Sequence, residues 1–180
     1  MHQAWQLWGN IVIATFVAIP VAVVAVHLLA RHRARKGHPF PVRTALADVV
    51  AVTGTAPWIW MILTPRAGDS EVSLLPLVDL WATVQGPAQA AFVQVGGNLL
   101  VFAALGGMLP VRSPRLASLA RIAAVAAGAS LTVEILQYVL HLGRVSSVDD
   151  VIVNTAGAVL AATATRRWWA DRIAAGIVPR

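Results

Sequence analysis

Five stretches of about twenty apolar residues, at 11–30, 44–63, 91–110, 119–141 and 148–165, constrain this chain more than any other feature. Each is long enough to cross the ~30 Å of hydrocarbon in a bilayer. No water is present at that depth to satisfy backbone polar groups, so each run must be a helix. Of the 180 residues, 58% are hydrophobic and 12% charged, with mean hydropathy +0.71. Soluble domains average about 45–50% apolar and about 25% charged. The expected fold is therefore all-α: a polytopic transmembrane helix bundle of about five spans, in a single domain covering 1–180. Without cysteine, the chain has neither disulfides nor thiolate chemistry.

The charges set an expected orientation. No Lys or Arg precedes the first run, whereas RHRARK follows it directly. A cleaved signal peptide has the opposite polarity, so this helix is expected to remain. Twelve of the fourteen Lys and Arg residues fall on one side of the five-span layout. They are Arg31, Arg33, Arg35, Lys36 and Arg43, then Arg112, Arg115 and Arg121, then Arg166, Arg167, Arg172 and Arg180. Only Arg66 and Arg144 fall on the other. The positive-inside rule then places the N-terminus outside and the C-terminus inside. The tryptophans fit the same layout, with Trp5, Trp8, Trp58, Trp60 and Trp81 at the outer interface and Trp168 and Trp169 at the inner one. The basic charge thus serves orientation and contact with membrane lipids, and no nucleic-acid partner is expected. Residues 71–81 are too short to span, which leaves an interfacial or a re-entrant segment. Asp48, about one turn inside the inner end of the second run, is expected to snorkel or to pair with Arg43.

Polar residues collect at one depth. Glu134 precedes His141 by seven residues, which sets it ~10 Å below the outer end of the fourth helix. Asn98 and Asn154 lie at a similar depth in the third and fifth. Gln94, Gln137 and Asp150 sit about one turn above these three, at spacings that keep each set on one helix face. His141 continues the Glu134–Gln137 side, and Arg144 follows in a short polar turn. An acid at mid-helix costs ~2.5–3.5 kcal/mol against lipid, so Glu134 should face inward. The expected site is an outward-facing polar pocket whose ligand-binding residues are Gln94, Asn98, Glu134, Gln137, His141, Arg144, Asp149, Asp150 and Asn154. A buried network that only fixes helix register is the alternative.

Ser146, Ser147, Asp149 and Asp150 also suit the N-terminus of the fifth helix, where one acid is expected to act as a cap. No metal-ligand spacing such as HExxH is present, and no nucleophile elbow surrounds the serines. Neither a metal nor a cofactor is expected.

The same residues carry a family resemblance. GNLLVFAALGGMLP at 97–110 and VEILQYVLHLGRVSSVDDVIVNTAGAVL at 133–160 resemble the signature of the VanZ-like family. LTPR, which ends at Arg66, and SLLPLVDL resemble its looser motifs, so that the resemblance covers about 44–165. It implies a small multi-pass membrane protein, expected in a bacterial plasma membrane. The family takes its name from a member associated with low-level teicoplanin resistance. Its polar pattern maps here onto Asn98, Glu134, Gln137, Arg144, Asp149, Asp150 and Asn154.

Three classes of function remain open on these residues. A pocket for a polar or lipid-linked envelope ligand, or for a glycopeptide, uses the polar set as hydrogen-bonding groups in an apolar wall. An intramembrane enzyme uses Glu134 or Asp150 as general acid or base and Arg144 as anion stabiliser. A helical scaffold uses none of them chemically. The inner halves of the helices carry few polar groups, which disfavours a transport path.

Overall fold

The computed structural model describes the backbone of residues 2–170 and the side chains of residues 17–170. Trp5, Trp8, Arg172 and Arg180, which enter the expected aromatic and charge pattern, lie outside the described side chains. Seven helices and two short strands follow in chain order: α1 (His2–Arg35), α2 (Pro41–Ile62), β1 (Glu71–Ser73), α3 (Val78–Gln85), α4 (Ala88–Val101), α5 (Ala103–Arg112), α6 (Leu119–Val139), β2 (Val145–Ser147) and α7 (Val148–Ala164).

Among the described residues, four helical stretches are long and apolar enough to cross a membrane: Val17–Arg35, Pro41–Ile62, Ala88–Arg112 and Leu119–Val139. The fifth expected run is α7, which at 17 residues sits at the short end of the range for a span. It is also the best-surrounded helix, packed against α4, α5 and α6. The third expected run is interrupted. Phe102 leaves helical geometry at φ −112°, ψ 11° and divides α4 from α5, with no proline or glycine beside it to mark the break. Its ring is buried at that point, beside Val101, Ile122, Ala126, Ala158 and Ala162.

Small residues set the helix spacing, as expected where lipid supplies no hydrophobic force between helices. Gly157 of α7 lies so close to α4 that an added Cβ would strike the Leu99 carbonyl. Gly106 of α5 meets the backbone of Ala158 in the same way. Large apolar side chains such as Val52, Phe92 and Leu160 point outward, the arrangement lipid favours.

Two corrections concern the end of the bundle where α1 gives way to α2. Asp48 pairs with Arg33 of α1 and, at 2.9 Å, with Arg112 of α5, not with Arg43. One carboxylate thereby joins three helices. Trp169, expected at an interface, is buried in the core and donates its Nε1–H to the Ala162 carbonyl at 3.0 Å.

At the other end, β1 and β2 form a parallel pair with Glu71 opposite Val145 and Ser73 opposite Ser147. The 71–81 segment takes the form of this strand followed by the start of α3, which lies against α4 and α7 with Leu74, Leu75 and Trp81 exposed.

Candidate functional site

At the strand-bearing end, α2, α4, α6, α7 and the turn before β2 enclose a cavity of about 560 Å³. Its polar lining is Arg66, Gln94, Asn98, Glu134, Gln137, Arg144, Asp150 and Asn154, set among Met61, Ile62, Val93 and Val101. Six of these eight come from the stripes expected at one depth, and Arg144 from the polar turn that follows the fourth run. His141 and Asp149 are not among the lining residues, and Arg66 is an addition.

Each helix contributes through its local register. The four-residue spacing of Gln94 and Asn98 keeps both on one face of α4, as it does Asp150 and Asn154 on α7. Asn98 donates to the Asp150 carboxylate and so joins the two helices across the cavity. Asn154 donates to Ser130 Oγ of α6 at 2.8 Å, while its Oδ1 is buried without a partner among the described residues. Gln137 donates to the Ile62 carbonyl, one of those left free at the end of α2, at 2.8 Å.

Glu134 does not take its bond from Asn98, Gln137 or Arg144. Its Oε2 accepts the backbone N–H of Ser147 at 2.9 Å, and its carbonyl accepts Ser146 Oγ at 3.0 Å. The acid thus ties α6 to the start of α7 while its side chain borders the cavity.

The turn between α6 and β2 explains the two absentees. Helix α6 ends at Val139, and His141 adopts a left-handed φ of 50°. Helical spacing from Glu134 therefore no longer applies, and the exposed imidazole faces Tyr138 and the Val139 carbonyl. Asp149 turns away toward α3, where its carboxylate accepts the backbone N–H groups of Leu77 and Leu80, the latter at 2.8 Å. The cap of α7 is Ser147, whose Oγ accepts the Asp149 N–H at 3.1 Å. Neither acid is therefore the expected cap of α7, and Asp149 instead receives N–H groups at the start of α3.

Arg144 is fixed over the end of α2. Its Nη2 donates to the carbonyls of Met61 at 2.9 Å and Thr64 at 3.5 Å, while its Nε is buried without a partner among the described residues. Burial and the neighbouring Arg66 guanidinium pull its pKa below the ordinary arginine value, and Asp150 and Glu134 act in the opposite sense. Arg66 is visible in the sequence as the other arginine set apart from the twelve, although no spacing rule links it to Arg144. Its place follows from its backbone N–H, which donates to the Leu142 carbonyl at 2.9 Å.

Apolar helices of membrane-crossing length, with an amide- and carboxylate-lined cavity sunk into one end, define a small polytopic membrane protein. Residues 49–169 match the family described as VanZ/LLP1, and the chain belongs to that family. No curated protein and no solved structure matches it.

Proposed function

We propose that this chain is a cell-envelope protein of the bacterial plasma membrane whose cavity binds a polar or lipid-linked ligand from the exterior. The observation that carries this reading is the convergence of Gln94, Asn98, Glu134, Gln137, Arg144, Asp150 and Asn154 on one cavity of about 560 Å³. That volume lies in the range of small-molecule sites, which combine an apolar wall with a few oriented polar groups. Asn154 Oδ1 and Arg144 Nε, without partners among the described residues, supply an acceptor and a donor. The lysine and arginine bias supports opening of this end to the exterior. A second hollow, apolar and about 780 Å³, is lined by Trp60, Leu63 and Thr64 beside the strip of α2 that holds Arg144. Its position favours a ligand with a hydrophobic tail.

Membership of the family makes glycopeptide tolerance the phenotype to examine. E134Q, D150N and N98A are each checked for normal membrane level, then scored for teicoplanin susceptibility in a sensitised host carrying the gene. Normal level with lost tolerance supports the pocket. Normal level with unchanged tolerance in all three, when deletion abolishes it, refutes the pocket as its source.

A further inference from the structure

We infer that the mouth of the cavity is a phosphate-binding site, in which Arg66 and Arg144 together hold the phosphate group of the ligand. The inference rests on the ligand-binding reading above and specifies the chemistry of what is bound.

Both arginines line the same cavity, and the backbone forces them together. Arg66 N–H donates to the Leu142 carbonyl, Gly143 N–H donates to Ser70 Oγ at 3.2 Å, and the β1–β2 pairing continues the seam. Gly143 has a φ of 66°, and a Cβ there would strike the Arg66 carbonyl, so only glycine lets the two loops close to this distance. Two like charges held side by side repel unless an anion lies between them. Burial first, and the Arg66 guanidinium second, lower the Arg144 pKa, against the opposing effect of Asp150 and Glu134.

The cavity carboxylates Glu134 and Asp150 act on Arg144 through charge but make no ion pair with either arginine among the described residues. Glu134 is held by the Ser147 N–H and Asp150 by Asn98. Among the described residues, the ion pairs are those of Asp48 with Arg33 and Arg112, and neither cavity arginine joins one. Arg66 makes no side-chain hydrogen bond among them, and Arg144 keeps Nε unused. A single carboxylate is satisfied by one guanidinium fork. Two forks and two positive charges match the several oxygens and double charge of a phosphate. The amides of Gln94, Asn98 and Gln137 then face the uncharged remainder of the ligand.

The test uses the full chain in phosphate-free dodecylmaltoside, titrated calorimetrically with dioctanoyl phosphatidic acid, dioctanoylglycerol and inorganic phosphate. Phosphatidic acid should bind and dioctanoylglycerol should not. R66Q and R144Q should each weaken binding by about tenfold or more, the loss of a charge-assisted bond. R144K should fall between, since it keeps the charge without the fork. R115Q, far from the cavity, should leave affinity unchanged. Arg144 also braces α2, whereas the Arg66 side chain holds nothing among the described residues. R66Q is therefore the deciding variant if R144Q loosens the fold. Binding of inorganic phosphate with the same arginine dependence identifies a free anion as sufficient; binding of phosphatidic acid alone identifies a lipid headgroup. Equal binding of phosphatidic acid and dioctanoylglycerol, indifference to R66Q, or no binding of either phosphate probe overturns the inference. If that happens while D150N still abolishes tolerance, the pocket survives and only its phosphate chemistry is lost.

Discussion

The carboxylate of Asp149 on α7 accepts the backbone N–H of Leu80 on α3, 69 residues earlier in the chain. It also accepts that of Leu77, a non-glycine residue held at φ 68°. Asp149 is 3% exposed, so truncation leaves buried donors without a partner and the left-handed turn without support. D149A should cost about 2 kcal/mol, with increased proteolysis within 74–85 as the local sign. D149N, which retains one acceptor, should cost less. Equal protease resistance in D149A and the parent would show that α3 is held by packing alone.

A second expectation concerns helix spacing. G157V would force α7 away from the Leu99 carbonyl and should destabilise the bundle by about 3 kcal/mol. Gly128 on α6 has open space around it, so G128A should be neutral or add up to about 1 kcal/mol through helix propensity. Thermal unfolding in detergent, read side by side, gives the contrast. Similar shifts in both variants would mean that the α4–α7 approach is not tight.

The Asp48 clamp should depend on charge. D48N leaves Arg33 and Arg112 facing one another on different helices and should cost about 2 kcal/mol. R112Q in the D48N background should recover part of that loss, because it removes half of the repulsion. Additive losses across the double-mutant cycle would remove the coupling.

Acid sensitivity at the cavity end should trace to Asp79. Hydroxyl groups of Ser147, at 2.6 Å, and Ser73 hold this carboxyl below its ordinary value of 3.8. A carboxylate lowered by folding stabilises the structure above its unfolded pKa, and that contribution is lost as pH falls through the lowered value. Amide protection across 145–148, taken relative to the intrinsic exchange rate at each pH, should therefore fall below about pH 3.8 in the parent. In D79N it should be flat over that window.

The absence of cysteine makes accessibility measurable residue by residue. V93C on the cavity wall should react with a membrane-impermeant, charged thiol reagent added to intact cells, and L160C on the outward face of α7 should not. Labelling of V93C only after the cells are opened would reverse the proposed orientation.

How much of the molecule is legible in its sequence differs by scale. The spans are readable because bilayer thickness imposes a length, and the polar stripes because helical rise converts residue number into depth. Gln94, Asn98, Glu134, Gln137, Asp150 and Asn154 meet for that reason. The rule fails where the backbone ceases to be helical. His141 lies beyond the end of α6 in a left-handed turn, and Phe102 interrupts α4–α5 with nothing local to announce it. Long-range choices of partner are also hidden. Asp48 selects Arg33 and Arg112, and Asp149 selects α3, because of packing that no spacing encodes. Arg66 stands in the sequence only as an exception to the charge bias, as Arg144 does. The structure sets both exceptions at one cavity.

The parallel pairing of β1 with β2 has a consequence for biogenesis. Its partners are separated by the whole of α3, α4, α5 and α6, and Glu71 precedes Val145 by 74 positions. At about 5–20 residues per second, the ribosome needs roughly 4–15 s to bridge that gap. Until β2 emerges, β1 has no partner to fix the loop that carries Arg66 against the turn that carries Arg144. The cavity is therefore completed late in synthesis, when β2 and then α7 with Asp150 and Asn154 follow the helices that form its other walls. A chain arrested before Val145 can be inserted in the membrane and still lack the α7 wall of that cavity.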